Sequence, residues 1–172
     1  MTLRERRALV TGAGRGIGRA VALRLAAQGP DLVLAARTRS EVEAVAEEAR
    51  ARGARAAAVV VDVARAESVA ALFREAGPVD VLVNAAGVAP SAPLVKTSDE
   101  VWRSALETNL SGTFFCLRAA LPGMMERGWG RVVNLASSRE KPAIPTSPPT
   151  PPASTACWAS RRWPRWRPRS AE

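Results

Sequence analysis

The sequence predicts an α/β protein built on a doubly wound parallel sheet, with five strands written into the first 135 or so residues. Two observations carry that prediction. Short runs of apolar, β-branched residues recur along the chain, and each is followed by a stretch with helical spacing. The runs are apolar on successive positions instead of alternating with polar ones, which marks strands buried on both faces, as helix-covered parallel strands are. Crossovers between such strands are right-handed.

The elements follow in order. Ala8-Leu9-Val10 is the first strand, followed by a glycine-rich turn and a helix through Leu25. Leu32 to Ala36 is the second strand. Ser40-Glu41-Val42-Glu43 has the spacing of a capping box, Ser at the cap and Glu three positions on, and opens a helix to about Arg52. Ala57 to Val61 and Val81 to Val83 are the third and fourth strands, with a helix over Ser68–Ala76 between them. A long helix is expected from about Asp99 to Arg127, and Val132 to Leu135 is the fifth strand. After Lys141 the pattern stops. Pro145, Pro148, Pro149, Pro151 and Pro152 oppose helix and strand alike, and Trp158, Trp163 and Trp166 stand among arginines with neither period. The expected organisation is therefore a domain over residues 1–141 and an irregular Pro/Arg/Trp-rich tail over residues 142–172.

Composition removes several function classes. The net charge is +9, but five Arg and one Glu place +4 of it in residues 142–172, and Ala is abundant along with Arg. That bias reads as coding composition and not as a phosphate-tracking surface, so no nucleic-acid partner is expected. No apolar run approaches the ~20 residues of a membrane span, and the first residues lead into a strand instead of a leader's apolar stretch. With only Cys116 and Cys157, no His and no carboxylate cluster, neither a disulfide framework nor a metal site is expected, and a cytoplasmic setting is the default.

The chemistry sits at the ends of the strands. Thr11-Gly12-Ala13-Gly14-Arg15-Gly16-Ile17-Gly18 joins the first strand to the first helix. Side-chain-free positions at 12, 16 and 18 allow a tight turn, close approach of backbone N–H groups to a diphosphate, and close helix-to-strand packing. Asp62-Val63 follows the third strand, Asn84-Ala85-Ala86-Gly87 the fourth, and Asn109 lies in Thr108-Asn109-Leu110-Ser111-Gly112. Asp62 also reads as a plain strand-end cap, and Asn84 and Asn109 as partners of buried backbone groups. At the end of the second strand, where an acid would hold a ribose 2′-hydroxyl, stands Ala36, followed by Arg37. Arg15 and Arg37 without a carboxylate suit a 2′-phosphate, or else are two solvated arginines.

These motifs, in this order and over about 140 residues, resemble the short-chain dehydrogenase/reductase family, in the branch that holds the 3-oxoacyl carrier-protein reductases. The resemblance implies a Rossmann-type fold whose final strands and helices are missing here. It implies NADP as cofactor, with NAD less favoured, and hydride transfer to or from a carbonyl or alcohol substrate. Thr11, Gly12, Gly14, Arg15, Gly16, Ile17, Gly18, Arg37, Asp62, Val63, Asn84, Ala85, Ala86 and Gly87 would then touch the cofactor, and Asn109 belongs to the catalytic tetrad. Gly130 to Ser137 looks like the fifth strand ending in the catalytic serine, with register choosing Ser137 over Ser138. The family's intact members form homo-oligomers, which the missing segments put in question here.

One departure bears on activity. The family's Tyr and Lys would fall at Thr150 and Ser154, and the chain contains no Tyr at all. Thr does not titrate in the useful range and Ser carries no charge. In a neighbouring reading frame, Pro149 to Ser160 permits a Tyr-x-x-x-Lys helix. There Cys157-Trp158 forces a Leu and Trp158-Ala159 a Gly, whichever synonymous codons are used. The expectation is a frameshift before this segment and a chain inactive as written. The alternatives are a catalytically dead nucleotide- or partner-binding module, and a basic-tailed nucleic-acid binder.

Overall fold

Five parallel strands form one sheet in the order β3-β2-β1-β4-β5. The computed structural model describes residues 3–90 and 93–136, the side chain of Leu94 excepted. The elements are β1 (Arg7–Thr11), α1 (Gly16–Ala26), β2 (Asp31–Ala36), α2 (Arg39–Ala51), β3 (Ala56–Val60), α3 (Ala66–Ala76), β4 (Val81–Asn84), α4 (Asp99–Leu106), α5 (Gly112–Glu126) and β5 (Arg131–Asn134). The expected α/β class and doubly wound parallel sheet are what the chain adopts.

The two-residue period of a strand divides the core between the faces. Ala8 and Val10 of β1, Leu32 and Leu34 of β2, and Val81 and Val83 of β4 turn to the side covered by α1 and α2. Leu9, Val33, Ala35 and Leu82 turn to the other side, against Val69 and Leu72 of α3 and Cys116, Ala120 and Met124 of α5. Both faces of the central strands are thus dry, which explains their unbroken apolar runs. Burial raises the Cys116 thiol to a pKa of about 12, because the thiolate would be stranded among hydrocarbon. In the described residues β5 is an edge strand, and Val133 on it is half exposed.

Two local expectations need correcting. Ser40 does not cap α2. The helix begins at Arg39 with Thr38 in the cap position and no side-chain cap bond. The turn after β2 is only Arg37-Thr38, so the helix must start early to bring Val42, Val45, Ala46 and Ala49 onto the sheet. The long helix over 99–127 is also not continuous. A π turn at Glu107–Ser111 separates α4 from α5. Gly112 packs so closely on Val63 that a Cβ would lie 2.9 Å from its Cγ2. The Thr113 hydroxyl donates to the Asn109 carbonyl at 2.9 Å, supplying a partner for a carbonyl within the irregular turn. β3 and β5 are each shifted by one residue from expectation, ending at Val60 and Asn134.

Candidate functional site

The sheet order reverses between β1 and β4, so the crevice beyond their carboxyl ends is the natural ligand position of such a fold. The first wall is the loop leaving β1. Gly12 has φ +65°, and a Cβ there would lie 2.6 Å from the Ala86 nitrogen and 2.7 Å from its Cα. Only glycine lets these two backbones touch. A Cβ on Gly18 would run into the Gly12 carbonyl, so the first turn of α1 also lies directly against the loop. Beneath them the buried Thr11 hydroxyl accepts from the Ala85 and Ala86 N–H groups at 3.2 and 3.3 Å and donates to the Val83 carbonyl at 3.4 Å. The exits of β1 and β4 are thereby one rigid piece.

The N-terminus of α1 faces this piece without a side-chain cap and with no acid in its first turn. Its free N–H groups and positive dipole end suit an anion, as a diphosphate is. The crevice encloses about 250 Å³. Gly12, Gly14, Arg15, Ile17, Gly18 and Arg37 line one part of it, and Val63, Ala85, Ala86 and Gly87 another. Ten of the expected site positions are thus gathered at one opening.

The others stand behind it or apart. Thr11 acts from below, and Gly16, at φ +55°, faces open space. Asp62 lies outside the lining. Its carboxylate accepts from the Ala64 N–H at 3.1 Å, and its own N–H donates to the Ser68 hydroxyl. That is the strand-end cap read beside the ligand role. Asn84 is buried at the end of β4, where its amide donates to the Asn134 side chain at 2.8 Å. Asn109 accepts from the Val88 N–H and donates to the Val88 carbonyl, both at 2.8 Å, so its amide holds the segment after β4 as a neighbouring strand would. Ser137, Thr150, Ser154 and the tail lie outside the described residues.

The crevice also contains groups the sequence reading did not select. Ala36, Thr38, Glu41, Val61, Thr108 and Leu135 line it. Glu41 alters the electrostatics: a carboxylate stands in the same opening as Arg15 and Arg37, although the end of β2 itself carries none. It lies in the first turn of α2, just after the two-residue link that carries Arg37.

The fold, the glycine loop and the order of strand-end motifs are those of a dinucleotide-binding α/β fold, and comparison with known proteins identifies the family. Residues 6–149 match the family model described as short chain dehydrogenase, and the chain belongs to that family. It is 40% identical over 135 residues to a 3-oxoacyl-(acyl-carrier-protein) reductase of Staphylococcus aureus (strain Mu50), covering 76% of this chain and 55% of the relative. It superposes with a TM-score of 0.79 and 34% identity on a 3-oxoacyl-(acyl-carrier-protein) reductase from Agrobacterium tumefaciens C58 with NADP bound, covering 91% of this chain and 60% of the other. A reductase of the same description with bound NAD from Brucella melitensis gives a TM-score of 0.81 at 31% identity, covering 89% and 61%. The chain therefore spans somewhat more than half the length of these relatives. Among the described residues, no helix is long and apolar enough to cross a membrane.

Proposed function

We propose that the crevice is the adenosine-diphosphate half of a nicotinamide dinucleotide site preferring NADP, within a cytoplasmic oxidoreductase acting on a carbonyl or alcohol. The observation that carries this reading is the backbone contact between Gly12 and Ala86, set beside an acid-free helix N-terminus. Together they seat the loop directly on the exit of β4 and leave the N–H groups of the α1 N-terminus without a side-chain cap, open to a diphosphate. Arg15 and Arg37 supply the charge for a 2′-phosphate, and the two relatives crystallised with NADP and with NAD are compatible with either dinucleotide. When bound, the dinucleotide would supply or accept the hydride at its nicotinamide ring.

In this reading Gly12 and Gly18 receive the diphosphate and Val63 borders the adenine, while Asp62 caps the end of β3 behind it. Asn84 to Gly87 form the floor, with Ile17 and Gly14 on the opposite side. Asn109 positions the Val88 segment through its two hydrogen bonds. Ser137 would hydrogen-bond the substrate oxygen. No group at Thr150 or Ser154 can give that oxygen a proton, since neither side chain titrates near neutral pH. Residues 1–141 would form the dinucleotide domain and residues 142–172 a tail foreign to it, so the chain as written binds without turning over. Homo-oligomers belong to the frame-restored protein. A nucleotide-binding module without catalysis is the second reading, favoured by the complete lack of Tyr in the chain.

One nucleotide inserted between the codons for Lys141 and Pro149, with the downstream DNA retained, tests the proposal. The restored protein is expected to oxidise NADPH against a panel of carbonyls, whereas the original chain binds 2′-phospho-ADP-ribose and turns nothing over. Turnover by the original chain, or downstream DNA without further α/β pattern, would overturn it.

A further inference from the structure

Glu41 is the anomalous charge of the crevice. This chain is rich in arginine, and two other acids of α2 are engaged by it: Glu43 pairs with Arg39, and Glu48 with Arg19 and Arg52, while Glu47 lies outside the crevice. Among the described residues no ion pair engages Glu41, Arg15 or Arg37, although all three line the same opening. Glu41 is half-buried, and its side chain lies across the buried Gly14. A Cβ on Gly14 would fall 2.9 Å from the Glu41 Cβ and 3.1 Å from its Oε2. The absence of a side chain at 14 therefore makes the berth in which this carboxylate rests.

Given the cofactor reading above, on which this inference rests, we propose that Glu41 is a specificity-determining residue that works against the two arginines. Its carboxylate accepts from an adenosine ribose hydroxyl and repels a 2′-phosphate, so the crevice takes both dinucleotides instead of discriminating strongly for the phosphorylated one. A carboxylate can accept but not donate, and an ionised phosphate offers it no proton. Arg15 and Arg37 attract the phosphate, and Glu41 subtracts from that attraction at close range in a partly desolvated opening.

The test is calorimetric titration of the full 172-residue chain with ADP-ribose and with 2′-phospho-ADP-ribose, before and after Glu41→Gln. Gln keeps the size of Glu, removes the charge and adds a donor. Affinity for 2′-phospho-ADP-ribose is expected to rise about tenfold, the scale of one removed like charge at such a site, with ADP-ribose weakened a few-fold. Glu41→Ala approaches from the other side: it removes the carboxylate altogether, and the ratio of the two affinities should move in the same direction. An unchanged ratio in both variants, with both ligands still binding, would overturn the role of Glu41 and leave the cofactor reading standing. Failure of the unaltered chain to bind either ligand would overturn that reading and this inference with it.

Discussion

Replacing Asn109 gives the sharpest test of how the crevice is held. Its amide makes two hydrogen bonds to one residue, Val88, each at 2.8 Å and part-buried. Asn109→Ala removes both and leaves a backbone donor and acceptor short of partners. A typical net contribution is ~1 kcal/mol per bond, and a buried group left unpaired costs ~1–3 kcal/mol, so a loss of about 2–4 kcal/mol is expected. For a domain of this size that is a fall in melting temperature of roughly 4–16 °C. Asn109→Asp separates the two bonds. The carboxylate still accepts from the Val88 N–H, but its second oxygen now faces the Val88 carbonyl, and repulsion replaces a bond. Asp should therefore be no better than Ala despite its near-identical shape. Thermal melts followed by circular dichroism, with urea titrations for the free energies, provide the readout. A variant melting within about 1 °C of the parent would refute the two-bond account. So would an Asp variant clearly more stable than the Ala variant.

Gly12→Ala should cost about 2–5 kcal/mol in urea titrations, since it combines a positive φ with a Cβ pressed on the Ala86 backbone, and calorimetry should find no 2′-phospho-ADP-ribose binding. Arg37→Asp should weaken 2′-phospho-ADP-ribose by about 1.5–3 kcal/mol and shift preference toward ADP-ribose, and an unchanged ratio by fluorescence titration would remove Arg37 from the site. In a Cys157→Ser background, Cys116 should resist a thiol reagent at pH 8 until the protein unfolds, because burial holds its pKa near 12. The same shift has a definite sign: the unfolded thiol ionises first, near pH 9, so stability is intact below that pH and declines as pH rises toward 12. Urea midpoints compared between the parent and Cys116→Ala across that range would show it.

The strands were legible because each buries both faces, so Leu32 to Ala36 or Val81 to Val83 reads as continuous apolar sequence. The glycine loop was legible for a related reason, since backbone contact leaves no substitute for Gly12. The π turn was not. Thr108, Asn109 and Ser111 are weak helix formers that ordinary helices also carry, and what fixes the irregularity is Gly112 pressed on Val63 and Asn109 reaching Val88, both distant in sequence. Thr11 was placed with the ligand contacts because it borders the motif, whereas its hydroxyl is spent entirely on backbone groups. Glu41 was read as part of a helix-start pattern. Its place in the crevice depends on the berth left by Gly14, a vacancy that spacing along α2 cannot register.

The bond from Thr11 to Ala86 joins residues 75 apart in the chain, and the Gly12 contact spans a similar interval. Nothing local assembles that junction: β2, β3 and the helices between must be traversed before β4 reaches its seat beside β1. Closing so long a loop carries an entropic cost that slows folding. If the junction closes only after the rate-limiting barrier, the chain has no nucleotide site to stabilise while it is still folding. A dinucleotide fragment added during refolding should leave the folding rate almost untouched and act instead as a brake on unfolding, lengthening the life of the finished protein without hastening its birth.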